Sequence, residues 1–161
     1  MTKGPNRGPG RVRTIRTMPP VRLLPRGARR PGLPDIVGLH HVRAPVSNVV
    51  VTRDWYIDVL GFFPLLVVEE EDGVIGVALE HPSGVVVGLH REPEMARALR
   101  GFAILALTVP DICAWVDHLD AGGYPHGEII DGHRGRYVQL SDPDGLVVEL
   151  HTPGHPSADE A

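Results

Sequence analysis

Two segments of the chain are nearly the same: HPSGVVVGLH at residues 81–90 and DPDGLVVELH at residues 142–151. Six of the ten aligned positions are identical, at an offset of 61 residues. A weaker match pairs Val42–Val49 with Leu105–Ile112 at an offset of 63 residues. Because the two matches keep the same order and nearly the same spacing, they indicate an internal repeat. The body of the chain is therefore predicted to consist of two similar modules, residues 36–92 and 101–153.

Module one is predicted to have the order β-α-β-β-β. Apolar alternation predicts its first strand at Ile36–Val46. Ser47 or Asn48 can cap the helix that follows, and Gly61 ends that helix. Three further strands, separated by Asp-Gly and Pro-Ser-Gly turns, are predicted at Phe62–Glu69, Val74–Glu80 and Val85–His90.

Module two is predicted to repeat this order after a short helical linker at residues 93–100. Its first strand is predicted at Phe102–Val109, and Asp111 caps a helix that closes at Gly122 and Gly123. The three remaining strands are predicted at Tyr124–Ile130, Arg136–Leu140 and Leu146–Thr152.

Composition and charge limit the classes of protein that fit. The 161 residues are 42% hydrophobic and 22% charged, with no apolar run near the roughly 20 residues that cross a bilayer. The single cysteine, Cys113, excludes a disulfide framework and fits a cytoplasmic protein.

The ends of the chain differ from its body. Residues 1–35 carry nine basic residues and one acid, whereas the remaining 126 carry seven basic residues and 19 acids. Seven prolines and five glycines also occur in residues 1–35, so we expect a disordered basic tail, or a translation start at Met18. Nucleic-acid binding by this tail is not favoured, because no aromatic side chain is interleaved to stack on bases. Residues 154–161 are expected to form a second disordered tail.

Several motifs together resemble the vicinal oxygen chelate superfamily, which includes glyoxalase I, extradiol dioxygenases and bleomycin-resistance proteins. They are the Leu39-His40-His41-Val42 run, Asp54-Trp55-Tyr56, Val59-Leu60-Gly61-Phe62, and Asp142-Pro143-Asp144-Gly145 followed by Glu149-Leu150. The resemblance covers residues 36–153. It implies an α+β fold in which two βαβββ modules form an open, incompletely closed mixed β-barrel with helices outside. It also implies a small-molecule ligand in the hollow and a homodimer.

The resemblance also implies a divalent metal, such as Fe, Zn, Ni or Mn, held by the first and last strands of both modules. His41 and Glu149 fall on two of these ligand positions, and both are suitable ligands. The other two positions fall on Gly88 and Ile104, which cannot coordinate through a side chain. His90 shares a strand face with Gly88 and can complete a set with His41 and Glu149, or it can lie at a strand end as a rim residue.

Four further residues are candidates for substrate binding: Arg43, Tyr137, Gln139 and His151. Tyr137 and Gln139 alternate on one strand and can hydrogen-bond a ligand or face solvent, and His151 can instead lie at a strand end as a rim residue. Arg43 shares a predicted strand face with His41 and can meet an anionic ligand or pair with Glu149. His40 is predicted on the opposite face, in the core or at an interface. A loop at residues 132–135, which contains His133, can close over the mouth of the hollow.

Two functions remain open, and no catalytic residue is identified. The first is a metal-dependent lyase, isomerase or dioxygenase, in which the ion acts as a Lewis acid on a substrate with adjacent oxygens. The second is a metal-free protein that binds a small aromatic or amphipathic drug or metabolite, as bleomycin-resistance relatives do. The absent ligands favour the second function, and His41 with Glu149 favours the first.

Overall fold

The computed structural model describes residues 34, 36, 38–132 and 135–153. The helices and strands of the described residues all fall in Gly38–Ala161, the second of two compact units. The predicted disordered segments lie outside the described residues, apart from residue 34 in the first of them. His133 of the predicted closing loop lies outside them too. Within the described residues, no helix is both long enough and apolar enough to cross a membrane.

The first sheet is formed by module one and contains four strands. The elements, in chain order, are β1 (Val42–Val46), α1 (Val49–Leu60), β2 (Phe63–Glu70), β3 (Gly73–Glu80) and β4 (Val86–Arg91). The strand order is β1-β4-β3-β2. Strand β1 runs parallel to β4 and the other neighbours are antiparallel, so the sheet is mixed.

The second sheet is formed by module two and has the same arrangement. After α2 (Pro93–Ala98), its elements are β5 (Ala103–Thr108), α3 (Ile112–Gly122), β6 (Ile130–Gly132), β7 (Gly135–Ser141) and β8 (Val147–His151). The strand order is β5-β8-β7-β6, with β5 parallel to β8. The structure confirms the α+β class and the two modules, whose sheets do not close into a barrel.

Both long helices begin and end at the residues that the sequence indicates. Oδ1 of Asn48 accepts hydrogen bonds from the amides of Val50 and Val51, which α1 itself leaves unpaired. Asp111 caps α3 in the same way. The helices end at Gly61 and Gly123, whose φ angles of 74° and 66° lie in the left-handed region that glycine adopts without a Cβ clash. Local sequence chemistry thus fixes the boundaries of both helices.

Two predicted strands are wrong in their extent. The first strand begins at Val42 rather than at residue 36, because its partner β4 begins only at Val86 and Val42 pairs with Val87. The predicted strand at Tyr124–Ile130 is replaced by the short β6 and one isolated bridge between His126 and Leu140. Pro125 interrupts the earlier part of this segment, since proline has no amide to donate to a strand ladder.

Each helix covers one face of its own sheet. Tyr56 of α1 and Leu89 of β4 are fully buried in module one, and Leu119 of α3 and Leu150 of β8 are fully buried in module two. Because successive strand residues point to opposite faces, Gly88 and His90, and likewise Glu149 and His151, lie on the sheet faces away from the helices. Those faces are where a ligand site can form.

A turn of module two is anchored on the first turn of α1. The Asp144 carboxylate accepts hydrogen bonds from the Ser47 amide at 2.9 Å and from the Thr52 hydroxyl at 3.5 Å. Asp142 holds the turn itself, because its Oδ1 accepts from the amides of Asp144 and Leu146, each at 2.9 Å. The Asp144 carboxylate therefore joins the two modules, which also share one apolar core.

Candidate functional site

A cavity of about 350 Å³ lies on the face of the first sheet that α1 does not cover. All of the residues that line it belong to module one. Its walls are apolar and come from Leu65, Leu66, Val68 and Val86. Its floor contains the small residues Gly76, Ala78 and Gly88, and its polar groups are the side chains of His40, His41 and His90. This volume is within the usual range for small-molecule sites.

Two glycines make room for the histidine rings. A Cβ at Gly88 would lie 3.5 Å from Cδ2 of His41 and 3.5 Å from Nε2 of His90. A Cβ at Gly76 would lie 3.7 Å from Nδ1 of His90, because Gly76 and His90 are cross-strand partners. A methyl group at either position would make only ordinary contact with these rings, whereas a longer side chain would meet them.

His40 and His41 interact directly. Their Nδ1 atoms are 2.7 Å apart, and the rings meet edge to face at 5.0 Å between centroids. One Nδ1 must donate and the other accept, so the two rings are not both protonated at Nδ1. The prediction that His40 points away from His41 is wrong, since both line the cavity. Alternation does not apply there, because β1 begins only at Val42.

The charges around His90 favour its neutral form. Burial lowers the pKa of His90, the positive charges of Arg43 and His41 lower it further, and Glu92 opposes them. Arg43 itself forms an ion pair with Glu92 rather than with Glu149. A neutral imidazole can donate and accept one hydrogen bond each. The His90 side chain therefore offers a ligand an uncharged polar group at neutral pH.

A second polar cluster lies on the equivalent face of module two. Gln139 and Tyr137 on β7 are cross-strand partners of Glu149 and His151 on β8, so all four side chains share one face. Gln139 donates to Oε1 of Glu149 at 2.7 Å, and Nε2 of His151 lies 2.9 Å from Oε2. The His151 ring stacks on Tyr137 at 5.0 Å. Hydrogen bonds from His151 and Gln139 lower the pKa of Glu149.

The structure thus places the candidate residues in two groups. His41 and His90 line the cavity, with Arg43 near them. Glu149, His151, Tyr137 and Gln139 form the cluster on module two. Sequence reasoning missed the apolar wall of β2, because a run such as Leu65–Val68 predicts a strand without showing what the strand faces. Gly76, in the middle of a strand, was an available signal for a close approach.

The residues present do not fit the divalent metal that the resemblance implies. Across residues 38–132 and 135–153, no three His, Cys, Asp or Glu side chains are arranged to hold a metal ion. His41 and His90 provide two ligands at most, and both oxygens of Glu149 already accept from neighbouring side chains. These side chains therefore do not form a ligand set for a divalent metal.

The chain is similar to one family model and to several solved structures. A family model described as "Glyoxalase/Bleomycin resistance protein/Dioxygenase superfamily" matches residues 38–150. One similar structure is TnmS3, an antibiotic binding protein from Streptomyces sp. CB03234, with 25% identity and a TM-score of 0.60. The similarity covers 74% of this chain and 100% of TnmS3.

Other matches differ in what they cover. A glyoxalase/bleomycin resistance protein from Streptomyces sp. CB03234 is 26% identical, with a TM-score of 0.54 over 68% of this chain and 95% of that one. A mutant of FosX, a fosfomycin resistance protein from Listeria monocytogenes complexed with Mn(II), is 14% identical, with a TM-score of 0.58 over 74% and 94%. A CTP synthase from Sphingopyxis alaskensis is 41% identical over 58 residues, which are 36% of this chain but only 11% of that protein.

Proposed function

The chain belongs to the Glyoxalase/Bleomycin resistance protein/Dioxygenase superfamily, and on that premise we propose that it binds an apolar, planar small molecule without a metal. The binding site of this proposal is the cavity of module one. The observation that carries the proposal is the lining of that cavity, which combines aliphatic walls with a glycine floor and histidine as its polar side chains. An antibiotic or a metabolite with an aromatic ring system has the matching chemistry.

The shape of the cavity supports a planar ligand. The His90 ring lies close to Gly76 and Gly88, so flat imidazole rings cover this part of the floor and a planar ligand can lie against them. Leu66 and Val68 then cover one edge of the ring, and each Å² of apolar surface removed from water contributes about 25 cal/mol.

The histidines give the site its polarity. Neutral His90 can hydrogen-bond a hydroxyl or carbonyl on the ligand, and a charged partner is not needed. The paired Nδ1 atoms of His40 and His41 hold those two rings in position. These histidines suit a phenol or a quinone as the ligand. A phosphate or a carboxylate suits them less, because each of these anions would call for an unpaired cation in the site.

Similarity to a binding protein supports the same conclusion. TnmS3 is described as an antibiotic binding protein, and its similarity to this chain covers 74% of this chain at 25% identity. We extend its class of activity, the non-covalent capture of a small organic molecule, to this chain. A homodimer and a cytoplasmic location, expected from the sequence, are part of the proposal.

A second candidate is a metal-dependent lyase, isomerase or dioxygenase using Fe, Zn, Ni or Mn. It is favoured by His41 and Glu149, which occupy two of the ligand positions implied by the resemblance. This candidate requires that the protein retain a metal and that Glu149 be necessary for doing so. The two candidates therefore make opposite predictions for one substitution.

The test compares equivalent positions of the two modules, Gly88 and Glu149. Fluorescence titration with anilinonaphthalene sulfonate (ANS), whose rings match the apolar walls while its sulfonate stays in water on the open side of the cavity, is combined with elemental analysis of the purified protein after incubation with Fe, Zn, Ni or Mn. Gly88→Leu fills the cavity and is expected to weaken ANS binding by about tenfold or more, a loss of about 1.4 kcal/mol. Glu149→Gln is the matched control and should leave ANS binding unchanged, because Glu149 does not line the cavity.

Two results would contradict the proposal. One is a stoichiometric metal that Glu149→Gln removes, which would refute metal-free binding and favour the second candidate. The other is ANS binding that Gly88→Leu leaves intact while its circular dichroism spectrum remains native. His90→Ala, which enlarges the cavity, provides a second variant if Gly88→Leu does not fold.

A further inference from the structure

Two equivalent turns lie at the junction of the modules, and they are held differently. The turn of module two bonds to the start of α1 through the Asp144 carboxylate. At the repeat offset of 61 residues, Asp144 corresponds to Ser83 in the turn of module one. Among the described residues, the Ser83 side chain bonds only within its own turn, with 2.7 Å between its Oγ and Nδ1 of His81. The two junctions of the duplicated fold are therefore not equivalent.

Helix α3 lacks the groups with which α1 holds its turn. The caps of the two helices correspond at the repeat offset of 63 residues. At the same offset, Ser47 corresponds to Pro110 and Thr52 corresponds to Trp115. Proline has no amide hydrogen to donate, and an indole ring stands in place of the threonine hydroxyl. Divergence of the repeat at these positions removes the polar contact from the second junction.

A cavity of about 360 Å³, here called the junction cavity, lies between the turn of module one and strand β5 with helix α3. Its volume is within the usual range for small-molecule sites. Residues of both modules line it, among them Leu60, His81, Ser83, Val85, Thr108 and Trp115. None of the described residues lines both this cavity and the cavity of the proposed function. The junction cavity is thus a second, separate site.

The polar groups of the junction cavity are hydroxyls and an imidazole. The described residues that line it include no Asp, Glu, Lys or Arg. The Ser83 amide donates to Nδ1 of His81 at 3.1 Å, so the proton of that ring lies on Nε2 and can be donated. The Thr108 hydroxyl can both donate and accept. Trp115 adds an aromatic ring, whose faces carry a negative partial charge that attracts C–H groups.

We propose that the junction cavity binds a neutral hydroxylated ring of the pyranose sugar class. One face of such a ring consists of C–H groups and packs on Trp115, and its hydroxyls bond to Nε2 of His81 and to Oγ1 of Thr108. A charged ligand fits less well, because the lining supplies no opposite charge. A purely apolar ligand would leave the groups of His81 and Thr108 without partners.

The test is a titration followed by the indole N–H signals of the two tryptophans in nitrogen-15 NMR spectra, which Trp55→Phe assigns. The probes are the methyl pyranosides of glucose, galactose and mannose, up to about 50 mM. This range brackets the dissociation constant of roughly 1 mM that is expected for so small a ligand. At least one probe should shift the Trp115 signal saturably and leave the Trp55 signal unchanged, because Trp55 does not line the cavity.

Two controls accompany the titration. Cyclohexanol, a ring of similar size with one hydroxyl, should bind at least about tenfold more weakly than the best pyranoside. Thr108→Val keeps the shape of the side chain without its hydroxyl and should weaken pyranoside binding by about three- to tenfold. Ser141→Ala is the matched control variant, because Ser141 also places an exposed hydroxyl on a strand but does not line the cavity.

Each outcome decides for or against the junction cavity. Saturable binding that Thr108→Val weakens and Ser141→Ala preserves supports the assignment. Three pyranosides that all leave the Trp115 signal in place refute it, as does cyclohexanol that binds equally well. If Thr108→Val does not melt cooperatively, His81→Asn replaces it, since the amide oxygen can still accept from Ser83 as Asp142 accepts in the equivalent turn. Gly88→Leu should leave pyranoside binding unchanged, so this result is independent of the proposed function.

Discussion

Replacing Asp142 by asparagine is expected to stabilise the protein at neutral pH. Asp142 is only 5% exposed, and in the described part of the chain its Oδ2 and the buried hydroxyl of Tyr56 have no hydrogen-bond partner. Burial raises the pKa of Tyr56, and the charge on Asp142 raises it further, so the two groups influence each other. The asparagine oxygen can still accept from the amides of Asp144 and Leu146, and its NH₂ group adds a donor without a charge.

The magnitude follows from the pKa of Asp142, which burial raises from 3.8 to about 6. A rise of about 2 units sets an upper limit of about 3 kcal/mol for the cost of ionisation in the folded state. Partial access of water to the carboxylate reduces the expected gain to about 1–2 kcal/mol. The pKa of Asp142 is higher in the folded protein than in the unfolded chain. Its contribution to the free energy of unfolding is therefore fully present below about pH 3.8, and it is lost as the pH rises past about 6.

The assay is urea unfolding followed by the fluorescence of Trp55 and Trp115, at several pH values between about 4 and 7.5. Asp142→Asn should match the wild type near pH 4 and exceed its free energy of unfolding by about 1–2 kcal/mol at pH 7.5. Asp144→Asn is the control. It should not stabilise at any pH, because the Asp144 carboxylate accepts from Ser47 and Thr52. A variant at position 142 that is less stable at pH 7.5, or whose difference from wild type does not change with pH, would refute the reasoning.

Two further substitutions test local features. Asn48→Ala removes the cap of α1 and should lower the free energy of unfolding by about 1 kcal/mol in thermal melting, whereas Ser47→Ala, whose side chain does not cap, should have little effect. Glu149→Gln should cost about 1 kcal/mol in urea unfolding at pH 7, because it weakens the bond with His151. Since the pKa of Glu149 is lowered in the fold, this contribution is present above the unfolded pKa of about 4.5 and is lost as the pH falls through the lower folded pKa. An effect that grows towards acid pH would contradict this account.

The order of elements was predictable because its signals are local. Asn48 and Asp111 cap helices through amides two and three residues away, and Gly61 and Gly123 end those helices by their own φ angles. These interactions depend on neighbours in the chain. A repeat that carries the same signals twice predicts the same order twice.

The site was less predictable because its contacts join distant parts of the chain. Arg43 pairs with Glu92, 49 residues away, and no periodicity distinguishes Glu92 from Glu149 as a partner. His40 and His41 lie before the first strand, so alternation gave His40 the wrong direction. The exposure of β2 depends on how far α1 extends over the sheet, which the strand pattern itself does not record.

The floor of the cavity gives the protein a simple way to change what it accepts. The depth of the cavity depends on Gly76 and Gly88, which have no side chain on the face of the sheet away from the core. At Gly88 a methyl group would make ordinary contacts, whereas at Gly76 it would press on the Leu89 carbonyl at 3.3 Å. A single codon change at position 88 can therefore make the pocket shallower while the helix side of the sheet stays untouched. Selectivity in descendants of this chain can diverge there without loss of the scaffold.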